Sequence, residues 1–452
     1  MKNYGFACLL RLCLAVLAVA VCIQAVPAQK FDRIERERLA GYLKQTRKLI
    51  SEHYYDPQFG GMDLEARFKQ AEEKLKGATS VGQGFSIIAQ AVVDMNDSHT
   101  TFYPPATNLM VSYGWRVRMF GDKPLITFVK EKSDAQNKGL KVGDEVLAIN
   151  GFRPNRKELR KMLYYYLTLN PQKRMVLDVK SPNGEVRKLE IDSDVKQLKR
   201  VMNLTNTVEF NEAVRDGDKV DQLSRHYFKD INGVLIWKMP SFSFDPSQVE
   251  RFMAEPKGKR AMILDLRNNG GGYVVTLEKI AGYFFENDVK IAELKGRKKM
   301  DPQIARSRGQ DGFKGNVIVL VDANSGSASE IFARLMQLEN RGKVIGDVSA
   351  GAVMQSRFRT VDAGVDTLIQ YGVSVTEADV IMSDGKSLEH VGVIPDISVI
   401  PTGEDLALRR DPALAKALEE LGIKITSDDA GKIFPDEIEV EFSTNFPISL
   451  RW

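Results

Sequence analysis

Val317-Ile318-Val319-Leu320-Val321 runs without a break into Asp322-Ala323-Asn324-Ser325-Gly326-Ser327-Ala328-Ser329-Glu330. A short, continuous apolar run of mostly β-branched residues reads as a strand buried on both faces, as in a parallel sheet. The residues after it are small, polar and turn-forming. A helix then follows from Glu330 to Leu338, with Ile331, Phe332, Leu335 and Met336 on one face. A strand–turn–helix junction lifts its turn residue above the sheet edge, and it sets backbone N–H groups and the positive end of the helix beside that residue. Ser327 is therefore the candidate nucleophile, with the N–H of Ala328 a candidate donor to an oxyanion. Ser327 and Glu330 also have the spacing of a helix capping box, in which Ser is favoured for no catalytic reason. This stretch alone leaves both readings open.

A second junction shifts the balance. Ala261 to Leu266 is another apolar run, and Asp265-Leu266-Arg267-Asn268-Asn269-Gly270-Gly271-Gly272 follows from it. Three glycines remove every side chain where a backbone must approach a ligand, and they permit the positive φ that turns N–H groups inward. Gly271 and Gly272 are thus expected to supply the other half of an oxyanion hole. With Val234 to Trp237 as a third buried strand, residues 194–400 read as an α/β core. Beyond it, 401–452 is a C-terminal segment with a helix expected over Asp405–Leu421 and a polar tail or edge strand after that.

Upstream the texture differs. Residues 29–107 read as helical, with apolar stripes over Arg33–Ile50, Asp63–Lys76 and Val81–Met95, and suggest a small cap or support domain. Turn formers take over at Asn96-Asp97-Ser98-His99-Thr100-Thr101. Residues 108–193 are short strands and turns. Within them, Gly139-Leu140-Lys141-Val142-Gly143-Asp144 leads through Glu145 to a strand over Val146–Ile149, and Asn150-Gly151 is a hairpin-turn pair. This run resembles the signature of PDZ domains, which add an extended peptide to a sheet edge and hold its terminal carboxylate in backbone N–H groups. The resemblance implies that Tyr113, Gly114 and Trp115 form the peptide-binding carboxylate loop.

Composition excludes several classes. The 452 residues carry a net charge of +4 without a long basic block, which gives nucleic-acid binding no electrostatic support. Lys2 and Arg11 precede an apolar run from Leu12 to Ile23, followed by Val26-Pro27-Ala28. Residues 1–28 thus read as a cleaved secretory signal, the run being short for a membrane span. Export to a periplasm or the medium, with no stable membrane anchor after cleavage, is the expectation. All three cysteines (Cys8, Cys13, Cys22) lie in this leader, so the remaining chain has no thiol nucleophile and no disulfide. The four histidines are scattered without an HExxH pair, and neither a metal nor another cofactor is expected.

Leu266-Arg267-Asn268-Asn269-Gly270-Gly271-Gly272, Gly326-Ser327-Ala328-Ser329-Glu330 and Gly392-Val393-Ile394-Pro395-Asp396 together resemble the signature runs of the tail-specific, C-terminal-processing serine peptidases. The resemblance implies a multidomain α+β chain: an N-terminal helical domain, a PDZ-like β domain and a crotonase-like α/β peptidase core. It also implies a polypeptide substrate. One departure matters. The bacterial processing branch takes a lysine base from a Gly-Lys-Gly context, and Ala352 in Gly351-Ala352-Val353 stands where that lysine should be. The tricorn-like branch uses instead a Ser-His pair before the PDZ domain and a Glu just before the last motif. Ser98, His99 and Glu389 match those places, with His99 as general base and Glu389 orienting it with Ser98. Glu377 and His390 are alternative partners, and Lys386 an alternative base. Two functions follow: an exported serine endopeptidase acting on extended or unfolded polypeptide, whose C-terminus the PDZ domain reads, or an inactive homologue that binds peptides or apolar ligands.

Overall fold

The computed structural model describes residues 31–105, 109–197, 225–363 and 369–434. The leader expected over 1–28, with its three cysteines, and the last residues, 435–452, lie outside them.

Three helices open the described chain, each capped by a side chain that accepts from the first turn: α1 (Arg33–His53) by Asp32, α2 (Leu64–Lys76) by Asp63 and α3 (Val81–Val93) by Ser80. Strand β1 (Thr101–Tyr103) follows them. A small β domain comes next, made of β2 (Leu109–Ser112), β3 (Trp115–Phe120), β4 (Lys123–Val129), β5 (Glu145–Ile149), α4 (Leu159–Tyr164), β6 (Arg174–Lys180), β7 (Val186–Asp192) and β8 (Asp194–Gln197). Strands β3 to β7 form one antiparallel sheet in sequence order, and β2 pairs with β8. Asn150 and Gly151 both take positive φ, and Phe152 N–H donates to Ile149 O, so the expected turn forms. It closes only a single Ile149–Phe152 bridge, because β5 pairs with β6 instead.

The core begins with β9 (Tyr227–Ile231) and β10 (Val234–Lys238). It continues through β11 (Ala261–Asp265), α5 (Val274–Ala281), β12 (Val289–Gly296), β13 (Gln303–Ala305) and β14 (Asn316–Val321). Then come α6 (Ala328–Leu338), β15 (Lys343–Gly346), β16 (Met354–Ala363), β17 (Ile369–Met382), β18 (Ile397–Ser398) and α7 (Pro412–Glu420). The central sheet has the order β18-β15-β14-β11-β10-β9, parallel throughout except for β9. Both faces are covered, which is why its strands are apolar without alternation. Val317, Val319 and Val321 join the core under α5 and α6, whereas Ile318 and Leu320 meet Leu414, Ala417 and Leu418 of α7. The C-terminal segment up to residue 434 is thus a layer of the core.

Two expectations change here. The helix expected over 405–421 is broken: one ends at Ala407, and α7 starts anew with Asp411 as cap and Pro412 in its first turn, since proline cannot continue a helix from upstream. Nor do the N-terminal helices stand apart. Their apolar cluster runs from Leu39, Phe68 and Ile88 into Phe102 of β1 and Tyr371, Val373 and Val375 of β17, and β1 pairs antiparallel with β17.

His226 shows how burial enters stability. It stacks on Phe252 with ring centroids 4.2 Å apart and accepts the indole N–H of Trp237 at Nδ1, 3.1 Å away. Burial, aided by the charge of Arg251, pushes its imidazole from 6.5 down to about 4. A group whose folded value lies below its unfolded one contributes stability in full above the unfolded value and loses it as pH falls toward the folded one. His226 should therefore cost the fold about 3 kcal/mol between pH 6.5 and 4. Urea midpoints at several pH values should show a shallower slope for His226→Phe than for wild type; equal slopes would refute the assignment.

Candidate active site

Ser327 sits at the N-cap of α6 with φ 53° and ψ −117°. This left-handed conformation is strained for a residue with a Cβ, and surrounding bonds must impose it. They are numerous. Ser327 N–H faces Ala352 O at 2.8 Å and Glu330 Oε2 at 3.0 Å, Gly326 N–H donates to Asn269 O at 2.9 Å, and Ser325 Oγ donates to Leu266 O at 2.8 Å. Ser329 Oγ donates to Asn269 O at 2.8 Å. The nucleophile turn and the glycine turn are thereby sewn into one unit.

Glu330 is only in part the helix cap that its spacing suggests. It is fully buried, and each carboxylate oxygen takes two donors: Oε2 accepts from Ser327 N–H and Ala352 N–H (2.9 Å), Oε1 from Ser349 Oγ (2.6 Å) and Gly351 N–H (2.7 Å). Burial raises its carboxyl to about 7 against the pull of those donors. No local pattern points to the two donors on the 351–352 loop, because they lie 21 and 22 positions downstream.

That loop is held from the other side too. Arg156, between β5 and α4, donates to Gly121 O (2.7 Å) and Val348 O (2.9 Å) and pairs with Asp347, whose side chain is 5% exposed and also accepts Gly121 N–H at 2.7 Å. The small β domain is thus tied to the segment that backs the nucleophile. Arg156→Ala should cost about 2–3 kcal/mol by leaving Asp347 under-paired. It should also lower kcat more than it raises KM; a variant with unchanged melting and kinetics would show the tie to be incidental.

The glycine turn divides its work. Gly271, at φ 101°, leaves no room for a side chain: a Cβ would stand 2.6 Å from Ser327 Cβ and 2.9 Å from Ala328 N. Its N–H, however, donates to Asn269 Oδ1 at 2.9 Å, so the expected role of Gly271 as an oxyanion donor is corrected. Gly272, at φ 147°, is tighter still, its would-be Cβ lying 2.3 Å from Ser243 N. The N–H groups of Gly272 and Ala328 have no acceptor among the described residues, which leaves both available to a guest in the cleft. Gly272→Ala should therefore lower kcat by at least about a hundredfold, the usual loss on spoiling one such donor; full activity would remove Gly272 from the hole.

His99 lines the same cleft of about 230 Å³ as Ser327, Ser241, Ser243, Gly270–Gly272, Met354, Gln355 and Ser356. Its Nδ1 lies 2.7 Å from Ser98 Oγ, and Ser98 Oγ donates to Glu389 Oε2 at 2.8 Å. Glu389 also accepts Ser98 N–H (2.7 Å) and Val353 N–H (2.8 Å). Of the three acid and imidazole candidates, then, Glu389 is the one bonded into the site, and it acts through Ser98. Glu377 pairs with Arg357 and Arg359, His390 bonds Asn96 O at 2.8 Å, and Lys386 lies exposed in a turn. With Ser98 O–H given to Glu389, the hydroxyl oxygen accepts Nδ1–H, which leaves Nε2 unprotonated. Asp97 fixes the segment, its Oδ1 accepting from His99 N–H, Thr100 N–H and Thr376 Oγ1 at 2.6–2.9 Å. Burial pushes the imidazole of His99 down to about 4, the charge of Arg160 acting in the same direction and Asp97 against it.

Tyr113, Gly114 and Trp115 lie away from this cleft, at the start of β3. Tyr113 is buried and exchanges two hydrogen bonds with the backbone of Gln172, and Gly114 has φ 71°. Among the described residues no group of His, Cys, Asp and Glu could hold a metal ion, and no helix is long and apolar enough to cross a membrane.

Residues 233–399 match the model of Peptidase family S41, a span that holds both turns and Glu389. The chain is 28% identical over 201 residues to a probable CtpA-like serine protease of Staphylococcus haemolyticus, covering 41% of this chain and 39% of that protein. It is 29% identical over 195 residues to a tail-specific protease of Haemophilus influenzae, covering 40% and 26%. With the carboxy-terminal processing protease CtpB of Bacillus subtilis the identity is 25% over 336 residues, covering 72% and 62%. The alignments thus span less than two thirds of each of these relatives. Among solved structures, mature CPAF superposes with a TM-score of 0.61 at 16% identity, over 83% of this chain and 94% of that one, a likeness of fold.

Proposed function

We propose that the chain is an exported serine endopeptidase that cleaves extended or unfolded polypeptide. One observation carries this reading: a continuous Glu389–Ser98–His99 hydrogen-bonded chain enters the cleft where strained Ser327 stands beside two unpaired N–H groups. In the reaction, Nε2 of His99 takes the proton of Ser327 Oγ as that oxygen bonds to the scissile carbonyl carbon. The carbonyl oxygen becomes an oxyanion held by Gly272 and Ala328 N–H. The imidazolium is stabilised through Ser98 by Glu389, and it returns the proton to the leaving amine. Water then hydrolyses the acyl-enzyme by the same proton path in reverse. Ala352 O accepts Ser327 N–H and offers no base, in keeping with a histidine taking the lysine's part.

The small β domain is read as a PDZ module. Supporting this, β3 is an edge strand among the described residues, open to an added peptide strand, and the positive-φ Gly114 precedes it. Trp115 of β3 and Ala323 of the nucleophile turn pack on the same apolar cluster, so the module adjoins the site.

The test is cleavage of an unfolded protein by the purified chain across pH 4 to 9, with mass spectrometry of Ser327 after exposure to a fluorophosphonate. Cleavage together with a single adduct on Ser327 is expected; neither adduct nor cleavage would leave an inactive homologue. Since only neutral imidazole is a base, kcat/KM should stay level down to about pH 5 and be roughly halved by about pH 4. A midpoint near 6.5, that of a solvated histidine, would show His99 to be exposed in the working enzyme.

A further inference from the structure

A pair of side-chain amides that the reaction does not use joins the cleft lining, through Gln355, to a buried residue behind it, Gln303. Gln303, on β13, is 2% exposed, and its Nε2 donates to Gln355 Oε1 at 3.2 Å. Its own Oε1 is buried and accepts nothing among the described residues. A buried amide is costly to leave half-satisfied, and an apolar residue here would cost less, so fold stability does not account for Gln303. What it does is fix Gln355. With Oε1 of Gln355 committed to Gln303, the amide nitrogen of Gln355 keeps both hydrogens unpaired among the described residues, on a side chain that lines the cleft with Ser327 and His99. The β-bulge between Gln355 and Ser356, where β16 slips against β17, is the kind of irregularity that re-aims a side chain. The rest of the lining fits an uncharged guest: Ser241, Ser243 and Ser356 add hydroxyls beside the apolar Val274 and Met354, and among the described residues it includes no Asp, Glu, Lys or Arg.

We infer that Gln355, held by Gln303, is a specificity-determining residue that selects substrates bearing an uncharged side chain with an acceptor oxygen (Asn, Gln, Ser or Thr) beside the scissile bond. This rests on the peptidase reading above. A donor fixed in advance rewards an acceptor and penalises an apolar isostere that leaves the donor desolvated and unpaired. A cationic side chain would bring donors against donors, and an apolar one would strand two N–H groups.

The experiment uses the purified chain and one peptide scaffold varied only at the residues flanking the cut, with Gln against Leu as near-isosteres and Ser against Ala as the smaller pair. Wild type should favour Gln over Leu in kcat/KM by about 5- to 10-fold. Gln355→Leu should abolish or invert that ratio while cleavage of the Leu peptide persists. Gln303→Leu, which removes the buried carbonyl and frees Gln355 to swing, should narrow the ratio without lowering the melting temperature. Ser327-dependent cleavage with no preference, or a preference that survives in Gln355→Leu, overturns the inference and leaves the peptidase intact. If no peptide is cut and Ser327 takes no fluorophosphonate, both fall together.

Discussion

Ser327→Ala and His99→Ala should each lower kcat by about a millionfold, and the double variant should be scarcely worse than either. Neither residue is useful alone: the hydroxyl is not nucleophilic until Nε2 removes its proton, and without the serine no acyl-enzyme forms for the imidazole to resolve. Intermediate losses should trace the rest of the chain of bonds. Ser98→Ala keeps Glu389 in place, since Val353 N–H still binds it, but removes the acceptor for Nδ1–H and lets the ring turn. A kcat loss of roughly ten-thousandfold is the scale for a histidine left in the wrong tautomer. Glu389→Gln should fall in the same range, and Ser98→Ala with Glu389→Gln should not multiply. Additive losses would mean that Glu389 reaches the histidine by another route. Substantial activity in His99→Ala would sink the assignment of the base.

Glu330→Gln should be the most damaging change outside the cleft. The substitution keeps shape and removes only charge and one acceptor. Because two donors meet each carboxylate oxygen, either orientation of the new amide turns its NH2 onto two of them: Ser327 N–H with Ala352 N–H, or Ser349 O–H with Gly351 N–H. Two buried donors stranded at about 1–3 kcal/mol each amount to about 4 kcal/mol. In one large cooperative unit that is a fall in Tm of roughly 8–16 °C. Activity at temperatures where the variant is fully folded should still drop at least about a hundredfold, the scale for small misplacement of reacting atoms. Wild-type melting and wild-type kcat in this variant would show that the carboxylate is only a helix cap.

What could be read from the sequence is what local pattern encodes. The strands Val317–Val321 and Ala261–Asp265 announce themselves by unbroken apolar runs, and Ser327 and Gly270–Gly272 by abrupt turns after them. His99 and Glu389 emerge from motif resemblance and from Ala352 standing in the lysine's place. Long-range geometry left no such trace. Ser98 and Glu389 touch across 291 positions, and no periodicity reports which atom intervenes between an acid and a histidine. Gly271 shows the limit well. Its small size is legible, but the claim of Asn269 on its N–H depends on how the turn closes. Gln303 carries no signal at all, since its partner Gln355 is 52 positions away. The break of the C-terminal helix at Pro412 had a local signal in the proline itself, overridden by the apolar stripe that continues through it.

The distance along the chain between the pieces of the site has a consequence in time. A growing polypeptide acquires Ser98 and His99 early, Ser327 late and Glu389 later still, 62 positions after the serine. At roughly 5–20 residues per second, a finished nucleophile waits about 3–12 s for the residue that orients its base. For the first 25 positions of that interval the turn also lacks Ala352 and the loop that clasps Glu330. On the peptidase reading proposed above, a half-made molecule therefore holds its serine without the acid that orients its histidine, and it cannot yet cut the unfolded chain nearest to hand, which is its own.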